Sequence, residues 1–109
     1  MLDYLIVIPA RMRSSRFPGK PLAKINGKEL ILHVCDRCNK VFDKRKIIVA
    51  TDSLKILNFV KKNKYKSILT STKCLTGTDR VAEVSNKINA KIYVNAIEKK
   101  SIRKDEDII

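Results

Sequence analysis

The chain has 109 residues, 44% of them hydrophobic, a length that supports one small domain burying roughly two thirds of its unfolded surface. Its 24 lysine and arginine residues exceed its 11 acidic residues, and the formal net charge of +13 favours an anionic ligand or partner. No run of about 18 apolar residues is present, and Asp3 stands where a secretion signal would carry basic residues. We therefore expect a cytoplasmic protein with no membrane partner.

A short apolar strand opens the chain and leads into a basic loop. Tyr4–Ile8 is rich in β-branched side chains, which is typical of a strand buried on both faces of a parallel sheet. The following loop contains Gly19 between two prolines, which favours a tight turn. It also carries four cations: Arg11, Arg13, Arg16 and Lys20. Such a loop suits a triphosphate, and a merely solvated basic loop is the alternative.

An amphipathic helix is predicted next. Asn26-Gly27 is a strong tight-turn signal ahead of it. Apolar residues then recur at steps of three and four, as on one face of a helix: Leu30, Ile31, Val34, Cys35, Cys38, Val41 and Phe42. Cys35 and Cys38 have the spacing of a redox or zinc pair, but their place in this stripe predicts core thiols. His33, the only histidine, is predicted to lie on the helix surface.

Strands and helices alternate through the rest of the chain. We predict further strands over Lys46–Ala50, Lys66–Leu69 and Lys91–Asn95. Between them lie a helix capped by Asp52 or Ser53 and a helix that starts near Asp79, which would cap it. The alternation indicates an α/β fold with right-handed βαβ units and a parallel sheet. The charged segment Glu98–Ile109 is predicted to be either a helix or a frayed tail.

The loops after the first three predicted strands open at the same edge of a parallel sheet. Arg11 with Lys20, Thr51 with Asp52, and residues 76–80 can therefore surround one ligand. The cations of the first loop would neutralise phosphates, and Gly77 would offer its backbone N–H at a positive helix end. For Asp52, a plain helix cap is the alternative to a ligand contact.

Several blocks of the sequence carry a family resemblance. They are Ile8-Pro9-Ala10-Arg11, Pro18-Gly19-Lys20-Pro21-Leu22, Ile25-Asn26-Gly27-Lys28, Ile48-Val49-Ala50-Thr51-Asp52 and residues 76–84. In order and spacing they resemble the N-terminal part of the 3-deoxy-manno-octulosonate (KDO) cytidylyltransferases, the CMP-KDO synthetases. The resemblance implies a Rossmann-like three-layer nucleotidyltransferase fold. It also implies an enzyme that joins CTP and KDO to give CMP-KDO and pyrophosphate for lipopolysaccharide synthesis.

The resemblance also implies which residues form the site. The positions that match the family's CTP site are Ala10, Arg11, Lys20, Asp52, Thr78 and Arg80. Together with Arg16 and Gly77, which the strand-exit argument adds, they are the predicted nucleotide-binding residues. Arg11 and Lys20 are also the predicted catalytic residues, because cations must stabilise the charge that develops on the leaving pyrophosphate.

The metal site of the family is predicted to be lost. Family members hold Mg²⁺ on an aspartate in a Val-Gln-Gly-Asp-Glu-Pro segment, whereas the corresponding stretch here is residues 96–101 with Lys99 at the aspartate's position. A cation there repels Mg²⁺, and a site rebuilt from Glu98, Asp105 or Asp107 is the alternative.

The division that follows is a nucleotide-binding part over residues 1–95 and a divergent charged tail over 96–109. Because family members are more than twice as long, we expect a truncated or inactive form, and the resemblance implies a homodimer. One alternative is a catalytically dead nucleotide-binding or interaction module. Another is a basic nucleic-acid-binding domain, which the dispersal of the lysines over separate segments disfavours.

Overall fold

The structure, a computed structural model, describes residues 2–12, 20–97 and the backbone of 100–103. Its strands are β1 (Leu2–Ala10), β2 (Lys24–Ile25), β3 (Lys28–Glu29), β4 (Ile47–Thr51), β5 (Lys66–Leu69), β6 (Ala90–Asn95) and β7 (Lys100–Arg103). Its helices are α1 (Leu30–Asn39), α2 (Leu54–Lys62) and α3 (Gly77–Ser85). Short 3-10 turns cover Lys20–Leu22 and Lys44–Lys46.

Five strands form one sheet in the order β5-β4-β1-β6-β7, and the first four of these run parallel. In β1, Ile6 pairs with Ile47 of β4 on one side and with Val94 of β6 on the other. The chain builds outward from β1 to β4 and β5, and then returns to the opposite side of β1 with β6. The strand order therefore reverses between β1 and β6, which is where open α/β sheets bind ligands.

Helices cover both faces of the sheet, so the predicted three-layer α/β fold is confirmed. Alternate residues of a strand point to opposite faces, and β1 places Ile6 and Ile8 on one face and Leu5 and Val7 on the other. The first face packs against α1 and α2 through Ile31, Cys35, Ile56 and Val60. The second packs against α3 through Val81 and Val84. Because both faces are covered, all five residues of β4 are buried.

The predicted tight turn is confirmed. Asn26 and Gly27 both have positive φ, 53° and 79°, as a two-residue turn between antiparallel strands requires. The turn joins β2 to β3, and Lys24 pairs with Glu29. Nε2 of His33 donates to the Ile25 carbonyl at 2.7 Å and ties this hairpin to α1. His33 is half-buried on the helix surface, in agreement with the prediction.

The first helix is shorter than its apolar stripe predicted. It ends at Asn39, and Val41 is 75% exposed, so the placement of Val41 on the buried face was wrong. Phe42 does pack on the core, but from the loop: its ring meets Tyr4 edge-on with centroids 5.6 Å apart. Asp43 then caps the next turn by accepting from the Arg45 N–H. This local hydrogen bond competes with continuation of the helix.

The cysteines are thiols in the described part of the chain, and none is bridged. Cys35 is fully buried in the core between α1 and the sheet, and burial raises its thiol pKa to about 12. Cys38 is half-buried at the edge of the same cluster. The core prediction is therefore confirmed for Cys35 and holds in part for Cys38.

The remaining boundaries shift by a few residues. The strand β5 has the predicted bounds, while β1 is longer at both ends, β4 starts one residue later and β6 one residue earlier. The helix predicted in the tail is wrong at Lys100–Arg103, which pairs antiparallel with β6 as β7. This pairing satisfies a strand edge that would otherwise be open. The other tail residues of the prediction, 98–99 and 104–109, lie outside the described residues.

None of the helices in the described ranges is long and apolar enough to cross a membrane.

The end of α2 holds a lysine in a backbone conformation that favours glycine. Lys64 has a φ of 71°, and the Tyr65 and Lys64 N–H groups donate to the carbonyls of Val60 and Lys61. These two bonds define a Schellman motif, in which the position of Lys64 is usually glycine because a Cβ is strained there.

Lys64→Gly should therefore stabilise the chain by about 0.5–1 kcal/mol in urea denaturation, because relief of strain exceeds the entropy that glycine adds to the unfolded state. Lys62→Gly, at the last position of α2, is the matched control and should destabilise by a similar amount. Equal losses in both variants would show that Lys64 is unstrained.

Candidate nucleotide site

Three depressions meet at the carboxyl edge of the sheet, and Arg11 lines all of them. The first, about 190 Å³, lies beside the switch point between β1 and β6 and is lined by Pro9, Ala10, Arg11, Thr76, Gly77, Arg80 and Ile97. Arg11 is the first residue after β1 and is exposed. Its guanidinium is thus placed where ligands approach a parallel sheet.

The other two depressions extend the site to either side. One, about 320 Å³, runs over the face that carries α1 and is mainly apolar, with Lys20 and Pro21 at its rim. The other, about 420 Å³, lies between Arg11, Met12, Asp52, Ser53 and Thr72. The exits of β1 and β4 and the loop before α3 therefore line depressions that share Arg11, at the sheet edge where the sequence predicts a ligand site.

The start of α3 is held by a capping box. Thr76 Oγ1 accepts from the Asp79 N–H at 3.0 Å, and Asp79 Oδ2 accepts from the N–H groups of Thr76 and Leu75, both at 3.2 Å. Thr76 is therefore the N-cap and Asp79 the third helical residue, so the prediction that Asp79 caps the helix was wrong. The positive end of α3 opens onto the cavity that Thr76 and Gly77 line.

A buried arginine links the exits of two strands. Arg80 is only 2% exposed; its Nη1 donates to Thr70 Oγ1 at 2.5 Å and to the Ser71 carbonyl at 3.3 Å. Its Nη2 lies 3.6 Å from Oδ2 of Asp52, whose side chain is 20% exposed. Thr70 and Ser71 follow β5, and Asp52 follows β4. The guanidinium thus fixes the two strand exits to α3.

Asp52 faces Arg80 and does not cap α2. Ser53 is the N-cap, and its hydroxyl accepts from the Ile56 N–H at 3.3 Å. A plain capping role for Asp52 was therefore the wrong alternative, and its carboxylate lines the third depression.

The predicted site residues are not all brought together. Ala10, Arg11, Gly77 and Arg80 line one cavity, while Lys20 and Asp52 line the adjoining depressions. Thr78 is exposed in the first turn of α3 and is not among the residues that line these three depressions. Arg16, with the rest of its loop over residues 13–19, lies outside the described residues.

Sequence reasoning missed two residues of the site, one that binds Arg80 and one that lines two of the depressions. Thr70 is 6% exposed and receives the shortest contact of Arg80, yet no motif marks it. A polar residue directly after a predicted strand was the available signal. Ile97, which lines two of the depressions, falls in the segment that was assigned to the divergent tail.

The described residues do not fit a magnesium site. No group of three or more His, Cys, Asp or Glu side chains capable of holding a metal ion occurs among them. Asp52 contributes a carboxylate to the site, but it is already paired with Arg80. Lys99, at the position where the resembled family carries its metal-binding aspartate, lies outside the described residues.

The fold belongs to the α/β class that binds ligands at the carboxyl edge of a parallel sheet. The model of the cytidylyltransferase family matches residues 5–99, and the chain belongs to that family. Among its relatives it is similar to the 3-deoxy-manno-octulosonate cytidylyltransferase of Escherichia coli, 44% identical over 95 residues, 87% of this chain and 39% of that protein. It is also similar to the 8-amino-3,8-dideoxy-manno-octulosonate cytidylyltransferase of Shewanella pealeana, 45% identical over 82 residues, 75% and 34% of the two lengths.

A solved structure agrees with these relatives. The CMP:2-keto-3-deoxy-manno-octonic acid synthetase complexed with CTP matches with a TM-score of 0.80 at 44% identity, covering 85% of this chain and 39% of that chain. The predicted family is therefore confirmed. The chain spans between about a third and two fifths of the length of these relatives.

Replacing Arg80 tests whether its multiple contacts hold the site together. In Arg80→Lys one ammonium cannot reach Thr70, the Ser71 carbonyl and Asp52 at once, so we expect a loss of about 1–3 kcal/mol in unfolding free energy. Arg37→Lys, an exposed position in the last turn of α1, is the control and should change stability by less than about 0.5 kcal/mol. Equal stability of the two variants in denaturant melts would contradict the bridging role.

Proposed function

We propose that this chain is the CTP-binding part of a cytidylyltransferase of the 3-deoxy-manno-octulosonate type. The observation that carries the proposal is the position of Arg11, which lines all three depressions at the switch point of the sheet. Lys20 lies on one side of it and the N-terminus of α3 on the other. This arrangement suits a nucleoside triphosphate, whose phosphates are negatively charged and whose base is polar.

The charges suggest how the nucleotide would lie. Arg11 and Lys20 would contact the phosphates, with Arg16 as a further candidate from the basic loop. Thr76 and Gly77 border the smallest of the three depressions, where hydroxyl and backbone groups can recognise the polar edge of a base. Arg80 also lines it, but its guanidinium already binds Thr70, the Ser71 carbonyl and Asp52. Ala10 lines both the smallest depression and the apolar one beside α1, and it is 8% exposed. Its small side chain would let the nucleotide lie close to the backbone where these two depressions meet.

The reaction that the family name describes is a cytidylyl transfer. A hydroxyl oxygen of the acceptor forms a bond to the α-phosphorus of CTP, while the bond from that phosphorus to the bridging oxygen breaks and pyrophosphate leaves with the electron pair. In that reaction Arg11 and Lys20 hold the positions of the proposed catalytic residues, because fixed cations stabilise the negative charge that grows on pyrophosphate. The proton of the attacking hydroxyl passes to solvent or to a base that this chain's described residues do not identify.

The acceptor class follows from the names of the relatives. One similar protein is named for 3-deoxy-manno-octulosonate and another for its 8-amino-3,8-dideoxy analogue. Both acceptors are eight-carbon sugar acids, so the proposed acceptor is a 3-deoxy-octulosonate, with the substituent at carbon 8 left open. We propose residues 1–95 as the nucleotide-binding part, to which Ile97 of the charged segment 96–109 adds an apolar contact because it lines two of the depressions.

Nucleic-acid binding is the second candidate, and one observation favours it. Two lysine-rich segments that are separate in sequence meet at the amino edge of the sheet: Lys66 Nζ donates to the Arg45 carbonyl at 3.0 Å, and Lys44 Nζ lies 4.3 Å from the Tyr65 ring centroid. The expectation that the basic segments stay dispersed was therefore wrong for these two. A concentrated basic surface attracts phosphate backbones.

Calorimetry with CTP tests the first proposal directly. The chain should bind CTP in preference to GTP, and Arg11→Ala and Lys20→Ala should each weaken CTP binding about 10- to 100-fold, the range expected for a lost charge-assisted hydrogen bond. Lys24→Ala removes an exposed cation of β2 as the matched control and should leave the affinity unchanged.

The outcomes separate the candidates. Absence of binding to either nucleotide would contradict the CTP proposal. Binding of duplex DNA that falls steeply with salt, without a CTP preference, would favour the second candidate. Equal losses in all three variants would indicate nonspecific attraction to the net charge of +13.

We further propose that this chain binds CTP without turnover, because its sequence has Lys99 at the position where the resembled enzymes carry their Mg²⁺-binding aspartate. Incubation with CTP, KDO and Mg²⁺ should release no pyrophosphate above background, while the Escherichia coli relative serves as the positive control. CMP-KDO formed by the purified 109-residue chain would overturn this expectation.

A further inference from the structure

The loop between β5 and α3, residues 70–76, shapes the candidate site. Thr72 lines the depression beside Asp52, and Thr76 lines the cavity beside Arg11. The loop is held at both ends. Arg80 binds Thr70 and the Ser71 carbonyl at its start, and the capping box holds Thr76 at its end.

A third contact comes from an acidic side chain outside the site. Both carboxylate oxygens of Glu83 accept from the Ser71 N–H at 3.0 Å, and Oε1 accepts from Cys74 Sγ at 3.6 Å. Glu83 lies in α3, one turn after Arg80, and its side chain is 23% exposed. The backbone N–H that it binds belongs to a residue 12 positions earlier in the chain. The contact therefore fixes the loop against α3.

Glu83 also pairs with Lys87 at 3.1 Å, one helical turn further on. Such surface ion pairs on a helix contribute little to stability, and this pair does not connect Glu83 to the candidate site. The contact with Ser71 differs because it joins a helix to a loop through a charge-assisted hydrogen bond. In agreement, the Ser71 N–H is the largest influence that lowers the pKa of Glu83.

We propose that Glu83 is a positioning residue of the nucleotide site. Its carboxylate binds Ser71 near the start of the loop and Cys74 further along it, so that Thr72 and Thr76 are in place before the ligand arrives. Glu83 itself lines none of the three depressions, so it acts through the loop and does not contact the nucleotide. This inference rests on the proposed function for its ligand and on the geometry alone for the loop.

Glu83→Gln tests the inference with two measurements on the full chain. We expect faster hydrogen exchange at the Ser71 N–H and a CTP affinity about 5- to 20-fold weaker in calorimetry, because an amide oxygen is a weaker acceptor than a carboxylate. Glu83→Asp keeps the charge but is too short to reach Ser71, so it should behave like Glu83→Gln and can replace it if that variant fails to fold.

Two controls separate positioning from charge and from stability. Lys87→Met removes the ion pair and the hydrogen bond from Lys87 Nζ to the Leu69 carbonyl at 3.1 Å, but it leaves the Glu83 carboxylate on Ser71. Ser71 exchange and CTP affinity should therefore match those of the parent chain. Asp3→Asn removes an exposed carboxylate whose partner, Lys91, is 4.0 Å away. Because this change makes the net charge more positive by one, as Glu83→Gln does, it measures the effect of charge alone.

Parent-like CTP affinity in Glu83→Gln, whether or not its melting temperature falls, would overturn the proposal. So would an equal loss in Lys87→Met. If the parent chain does not bind CTP, the proposed function fails, and the exchange rate of Ser71 still decides: acceleration in Glu83→Gln and Glu83→Asp supports the loop contact, and an unchanged rate refutes it.

Discussion

Among the described residues, one buried cation, Arg80, organises the carboxyl edge of the sheet. Arg80 is almost fully enclosed, and an enclosed charge is costly unless opposite charges and acceptors surround it. Asp52, Thr70 and the Ser71 carbonyl meet that requirement, and they come from the exits of two different strands. The exits cannot shift independently without leaving the guanidinium unsatisfied. The shape of the candidate site is therefore a consequence of how one charge is compensated.

The basic residues at this edge have two different physical roles. Arg80 is committed to the protein, because its hydrogen-bonding groups face Thr70, Ser71 and Asp52. Arg11 is exposed at the end of β1, where a ligand anion can reach it. A similar division applies to the acids, since Asp52 compensates Arg80 while Asp79 stabilises the start of α3. Residue type alone does not separate these roles, whereas burial and partners do.

The fold class and much of the site were predictable because their signals are local. Buried parallel strands are short apolar runs, and the Asn26-Gly27 turn needs positive φ at both residues, so each is visible in a few letters. Ala10, Arg11, Gly77 and Arg80, which lie in the family blocks, line one depression, and their role in nucleotide binding stays a prediction. The end of α1 was not predictable from periodicity, because Phe42 continues the apolar spacing but packs on Tyr4 from a loop.

By itself, the sequence determined the alternation of strands and helices, the family, and the basic first loop, since each depends on the order and type of neighbouring residues. Tertiary structure alone decided that Asp52 faces Arg80, that Thr70 and Glu83 support the loop before α3, and that two lysine-rich segments meet at the opposite edge. It also decided that Lys100–Arg103 joins the sheet next to β6. These contacts join residues that are distant in the chain, and their energy depends on burial and distance, which local pattern does not encode.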